Sequence, residues 1–185
     1  SGSQRHVLES MFTSASRPFY QSCQLMHLAP ISEEAYYLFA KEKLNKHGQT
    51  ITKETFGQMY ERLYGHTWYL QSLLNRLYES SIQNLTDENV NLVLSSLISE
   101  NEVTYQTFLR LVTNSQKAVL QAIAKERSIK EVQGSAFVKR HKLSAASTVK
   151  SAVTAMTDKE MLLLAPDGTY SVYDRFFSIW LEREG

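Results

Sequence analysis

The sequence predicts a mainly α-helical protein: a helical bundle followed by a winged helix-turn-helix with a small β-hairpin wing. Three observations predict it. Apolar residues recur at helical spacing through most of the 185 residues. Only 7 Gly and 3 Pro occur, well under the roughly 7% and 5% of average usage, so an all-β fold rich in tight turns lacks its turn residues. Near the end, three helical stretches lead into two short apolar runs around Ala165-Pro166-Asp167-Gly168, the signal of a hairpin.

Val7, Leu8, Met11 and Phe12 form a short apolar stripe, which Ser14 to Pro18 interrupts. Gln24 to Pro30 is a candidate strand with no partner near in sequence. Ser32 caps the first bundle helix, with Glu33 and Glu34 in its first turn, Tyr36, Phe39, Ala40 and Leu44 on one face, and Gly48 as its stop. Thr52 caps the second, striped by Phe56, Met59, Tyr60, Leu63 and Tyr64 and ended by Gly65. Leu70, Leu73, Leu74, Leu77 and Tyr78 mark the third. Thr86 caps the fourth, with Val90, Val93, Leu94, Leu97 and Ile98 inward; Tyr105, Phe108, Leu109 and Val112 mark the fifth. Starts near 33, 53, 67, 87 and 104 share no constant period, which argues against a two-helix solenoid. Beyond Asn114, Ser115 caps a helix to about Arg127, Ser135 to His141 forms a short one, and Ser144 caps a third carrying Val149, Ala152, Val153 and Met156. Met161 to Leu164 and Thr169 to Val172 are the hairpin strands, and Phe176, Phe177, Ile179, Trp180 and Leu181 give a closing helix.

Composition and motifs exclude several classes. Apolar content of 43% with 21% charged residues excludes wholesale disorder. No run of 18 apolar residues exists, so no transmembrane helix is expected, and no signal peptide is visible. Cys23 is the single cysteine, which excludes an internal disulfide framework; it reads as a small buried apolar group. The five His, at 6, 27, 47, 66 and 141, are too scattered for a metal site. No G-x-x-x-x-G-K-[ST], G-x-G-x-x-G or G-x-S-x-G occurs and no pair of acids suggests acid/base work, so no catalytic residue is expected. The crowded rings of Tyr36, Tyr37, Tyr60, Tyr64, Trp68 and Tyr69 read as inter-helix packing. The chain opens on Ser1-Gly2-Ser3 without Met, as a processed or truncated chain would, or one bearing a tag scar.

The net charge of +1 hides an asymmetry. Residues 1–114 hold nine basic and eleven acidic residues, whereas 115–150 hold eight basic residues against Glu126 and Glu131. Lys139, Arg140, Lys142, Ser144, Ser147, Thr148 and Lys150 are the candidate contacts of this half. They read either as phosphate and groove contacts to DNA or as the solvated face of a protein-binding winged helix. No Arg, Asn or Gln stands between Ser144 and Lys159, and those are the main readers of base edges.

The closing stretch Tyr170-Ser-Val-Tyr-Asp174-Arg-Phe-Phe-Ser-Ile-Trp180-Leu-Glu-Arg183 resembles the end of the archaeal-type ATPases, P-loop proteins of the STAND/AAA+ group. Ser1-Gly2-Ser3-Gln4 resembles the end of their core strand near sensor 1, Ser16 to Tyr20 their Pro-Leu-Tyr segment, and Leu28 to Ser32 the Leu-x-Pro-Leu before their helical lid. Tyr64-Gly65-His66-Thr67-Trp68-Tyr69-Leu70-Gln71 resembles their Gly-Gly-His-Pro-Tyr-Tyr-Leu-Gln lid turn, with Tyr64 in place of a Gly and Thr67 in place of the Pro. The resemblance implies a core remnant over 1–31, a lid-like helical domain over 32–113 and a winged helix over 114–185. It implies Walker segments upstream of residue 1 and a parent that binds ATP and Mg, with no cofactor held by this chain itself. It places Ser3 and Gln4 near the γ-phosphate, Arg17 as a phosphate-sensing or finger arginine, and Gly65 as a helix cap beside the nucleotide site. The expected function is thus the lid and winged-helix regulatory part of a cytoplasmic ATPase, not catalytic alone, whose partners are the ATPase core and a protein or DNA, with no membrane. The alternatives are a winged-helix DNA-binding regulator and a helical protein-interaction scaffold.

Overall fold

The computed structural model describes residues 12, 14–20, 22, 26 and 28–184. Residues 1–31 and 32–185 form two compact units. In the first, successive turns close on Arg17 N–H to Ser14 O at 3.0 Å, Tyr20 N–H to Arg17 O at 3.1 Å and Ser22 N–H to Phe19 O at 3.1 Å, and the Phe12 and Phe19 rings lie 6.2 Å apart. Met26 and residues 28–30 of the candidate strand carry no regular secondary structure. Its other residues, the Val7–Met11 stripe, Ser3, Gln4 and Cys23 lie outside the described residues.

The second unit is mainly helical. Its bundle half consists of α1 (Glu33–Lys46), β1 (Thr50–Ile51), α2 (Lys53–Arg62), α3 (Thr67–Glu79), β2 (Asn84–Leu85), α4 (Asp87–Ser99) and α5 (Glu102–Arg110). Its second half consists of α6 (Asn114–Glu126), α7 (Ser135–Arg140), α8 (Ala146–Asp158), β3 (Leu162–Leu164), β4 (Tyr170–Val172) and α9 (Arg175–Glu184). Most of the apolar stripe residues face one continuous core, from Tyr36, Leu44 and Phe56 through Leu94 and Ile98 to Ile123, Met156 and Trp180, whereas Phe39, Tyr64, Tyr78 and Phe108 of the expected stripes are exposed. That core runs across position 113/114, so the two expected domains share buried side chains.

Local chemistry sets the helix ends. Ser32 accepts from Ala35 N–H and Thr52 from Thr55 N–H, as the sequence suggested. Two caps differ from expectation. α6 is capped by Thr113, whose reciprocal box with Gln116 satisfies two orphan donors, rather than by Ser115. α8 starts at Ala145 with no side-chain cap, rather than at Ser144. The parallel pair β1–β2, in register Thr50↔Asn84 and Ile51↔Leu85, was not expected. Strands of two residues carry no periodicity to read. Buried Gln49 secures that corner, its Nε2 donating to the carbonyls of Leu77 at 2.8 Å and Ile82 at 2.9 Å.

In the second half, β3 and β4 pair antiparallel around the 165–168 turn, where Asp167 accepts from Thr169 N–H at 3.1 Å. Ile129 exchanges two backbone bonds with Tyr170, of 2.9 and 2.8 Å, adding a third rung beside β4. The closing helix α9 is buried at seven consecutive positions, Arg175 to Leu181, and packs on α6 and α4. A helix enclosed on every side belongs to a core, not to a surface.

Scarce glycine leaves a mark on the helix ends. α2, α7 and α8 all close with paired backbone bonds around a left-handed residue that is not Gly: Tyr64 (φ 55°), Lys142 (φ 51°) and Glu160 (φ 58°). A side chain there costs about 1 kcal/mol in backbone strain, more than the extra freedom Gly has when unfolded. Lys142→Gly and Glu160→Gly are each expected to raise stability by about 0.5–1 kcal/mol. Urea denaturation followed by circular dichroism checks this; an unchanged or lower midpoint for both contradicts it.

Candidate functional site

The turn after α2 and the start of α9 meet in a half-buried junction, with Arg175 enclosed and Tyr64 exposed. Tyr64 N–H bonds Glu61 O at 3.1 Å and Gly65 N–H bonds Tyr60 O at 2.8 Å, closing α2 with two left-handed residues. A Cβ on Gly65 would stand 2.5 Å from the Tyr60 ring, so the cap needs Gly there. Arg175 reaches this turn from α9 and is 3% exposed. Its guanidinium carbon lies 3.6 Å from the centre of the Tyr64 ring, its Nε donates to the Arg62 carbonyl at 3.0 Å and its Nη1 to Ser178 Oγ at 3.2 Å. Its Nη2 is buried with no partner among the described residues. Arg62 in turn forks onto Glu182, with bonds of 3.1 and 2.8 Å. Burial pushes the Arg175 guanidinium down from its ordinary value, while Tyr64 and Glu182 pull it back up. The substitution of Tyr64 for the Gly of the resembling pattern thus has a physical counterpart: the ring that strains the cap stacks on Arg175.

The rest of the closing motif is structural. Asp174 caps α9 by accepting from Phe177 N–H at 2.8 Å. Phe176 meets Tyr69 edge-on at 4.8 Å and Trp68 at 6.0 Å. Phe177 and Trp180 lie 5.2 and 5.6 Å from Tyr105. Burial first, and the Asp174 carboxylate second, push the Tyr69 phenol up to about 12 and raise the Tyr105 phenol as well. The unfolded chain loses these protons near pH 10, before the folded chain does. Their contribution is therefore intact below pH 10 and disappears as pH rises through the folded values. Between pH 10 and 12 the wild type is expected to lose roughly 2 kcal/mol more stability than Tyr69→Phe. Equal slopes of unfolding free energy against pH in the two proteins would contradict this.

The second candidate face is the basic one. Lys139, Lys142, Ser144, Ser147, Thr148 and Lys150 are all exposed. Lys142, Ser144 and Thr148 line a cleft of about 220 Å³ with Asn114 and Ser115 of α6. Arg140 is exposed but engaged: it pairs with Glu126, which His141 Nε2 also approaches at 2.8 Å. The His141 bond, then the Arg140 bond, hold the Glu126 carboxyl below its usual range. Toward solvent α8 presents Ser147, Thr148, Lys150, Ser151 and Thr154, a single cation among small polar groups.

Three helices, a two-stranded wing and the Ile129–Tyr170 rung complete an arrangement that decides the architecture of this half. It is a winged helix. Residues 103–183 match the family model described as a probable winged helix domain. No curated protein and no solved structure matches the chain. The match starts inside α5, so the winged helix and the last bundle helix fall within one matched stretch.

Of the residues expected by resemblance, Ser3 and Gln4 lie outside the described residues, and Arg17 is exposed in the first unit. Gly65 is at the α2 cap, its Cα face filled by the Tyr60 ring. The described residues do not by themselves fit a nucleotide. That filled face denies a phosphate close approach to Gly65, and the guanidinium nearest the cap, that of Arg175, is enclosed in the junction. Among the described residues no group of three or more His, Cys, Asp or Glu could hold a metal ion, and no helix is long and apolar enough to cross a membrane. Sequence reasoning missed Arg62, Arg175 and Glu182. Arg175 stood inside the closing motif, but Arg62 and Tyr64, which it meets, lie more than 110 residues away.

Proposed function

We propose that this chain is the lid and winged-helix regulatory part of a P-loop ATPase whose nucleotide-binding core it does not itself contain. One observation carries the reading: the lid-turn stretch at 64–71 and the closing stretch at 170–183, which bear the resemblance independently, pack directly on each other through Tyr64 and Arg175. In this reading the core supplies ATP and Mg chemistry, and Ser3, Gln4 and Arg17 belong to its edge. The Arg175 junction makes the winged helix follow the lid, so a partner bound to one end biases the state of the other. The reading frame that encodes Ser1 is expected to carry a G-x-x-x-x-G-K-[ST] within about 200 residues upstream. An in-frame Met directly before Ser1, or ATP hydrolysis by these 185 residues alone, contradicts the proposal.

A second reading, a DNA-binding regulator, is favoured by the exposed Lys139, Lys142 and Lys150, which make no ion pair among the described residues. It predicts duplex binding that weakens steeply with salt and discriminates little between sequences, since α8 lacks base-edge readers. Unchanged duplex mobility at low salt removes it.

A further inference from the structure

Between α2 and α4 lies a cleft of about 210 Å³, floored by Met59, Leu63 and Leu94. Besides the exposed Glu61 of α2, two opposite charges line it without an ion pair among the described residues. One is Asp87, at the start of α4, whose Oδ1 is buried and accepts no hydrogen bond among the described residues. A desolvated carboxylate oxygen without a donor is costly to leave unmade. The other is Arg127, at the end of α6, exposed and free of any ion pair among the described residues. Arg127 is held there by an unusual backbone: φ is 62° and ψ −43°, and Ser128 N–H bonds Glu126 O at 2.6 Å, a γ-turn of the rare, strained hand. The remaining guanidinium at the cleft, Arg62, is already committed to Glu182.

We infer that this cleft is a binding site for a small zwitterion with an apolar side group, namely a free apolar α-amino acid. Three arguments lead to that class. A simple anion would suit Arg127 but meet the Asp87 and Glu61 carboxylates, and a simple cation would suit those acids but meet Arg127, so the complement carries both charges. The floor is apolar, so the group between them is too. The volume lies below the roughly 300–1,000 Å³ that encloses drug-sized ligands, which excludes a nucleotide and admits an amino acid. The ammonium would donate to Asp87 Oδ1 and the carboxylate would take the Arg127 guanidinium, with the side chain over Met59, Leu63 and Leu94. This site involves no residue on which the ATPase reading rests.

The test is isothermal titration of the full 185-residue chain with L-leucine, L-methionine and L-valine. The half-molecules 3-methylbutylamine and 4-methylpentanoate serve as controls. At least one amino acid is expected to bind, and each half-molecule to bind about tenfold weaker or less. Two variants separate binding from folding. Arg127→Gly removes the guanidinium while relaxing the strained turn, so its melting temperature should hold or rise while affinity falls about tenfold or more. Asp87→Asn keeps the shape and should lose the ammonium contact. Absence of heat with all three amino acids overturns the proposal, as does affinity unchanged in both variants. So does a half-molecule that binds as tightly as the whole.

Discussion

Replacing Arg175 with Ala is expected to cost about 3 kcal/mol of stability, through groups stranded in the interior rather than through lost charge alone. The substitution strips the donor from the Arg62 carbonyl and from Ser178 Oγ, and it leaves the strained Tyr64 ring without the plane it stacks on. Arg175→Lys should recover little of this, because an ammonium has neither the planar face nor the fork that the site uses. The diagnostic measurement is a double-mutant cycle with Tyr64→Gly. That single change relaxes the cap while removing the ring, so its own effect is small and of either sign. The coupling between the two positions should nevertheless be about 1 kcal/mol or more. Strict additivity would mean that the stack does not hold the junction, and the proposed coupling of bundle to winged helix would lose its physical basis.

Trp180→Ala is expected to cost about 4 kcal/mol, in the range of large aromatic truncations in a packed core. Trp180 is 4% exposed, in the middle of the enclosed stretch of α9; it stacks with Phe177 at 6.0 Å and meets Tyr105 in a tilted contact at 5.6 Å. Since Tyr105 belongs to α5 and Phe177 to α9, the void would open where bundle and winged helix share their core. Urea unfolding should therefore shift for the whole of residues 32–184 in one transition. A loss under about 1 kcal/mol would mean that the two halves do not depend on this contact.

Most of the helices were legible because each buries one stripe, and that stripe writes a period of 3.6 into the chain. The wing was legible because Pro166-Asp167-Gly168 can do little but turn. Ser115 and Ser144 misled because any Ser near a helix start resembles a cap; Thr113 with Gln116 three residues later carried the stronger reciprocal signal. The strands Thr50–Ile51 and Asn84–Leu85 were hidden by their length. The junction was half legible. The motif around Asp174 marked its position, yet whether Arg175 faced solvent, nucleotide or core depended on Arg62 and Tyr64, which only folding brings near. The cleft was not legible at all: Asp87 reads as a good first-turn acid and Arg127 as a good last-turn base, and nothing local says that either lacks a partner.

Between Glu126, the last residue of α6, and Ile129, three residues answer to three different neighbours. Glu126 holds Arg140 and His141 of the helix-turn-helix, Arg127 lines the bundle cleft, and Ile129 pairs with Tyr170 of the wing. The stretch therefore acts as a shared reference point whose spacing sets three surfaces at once. Inserting one residue between 127 and 129 would leave Arg127 with the bundle but displace Arg140, His141 and the Ile129–Tyr170 rung relative to it, whereas the same insertion at the exposed tip around Asp167 would leave them aligned. Length here, more than side-chain identity, is what the fold cannot vary.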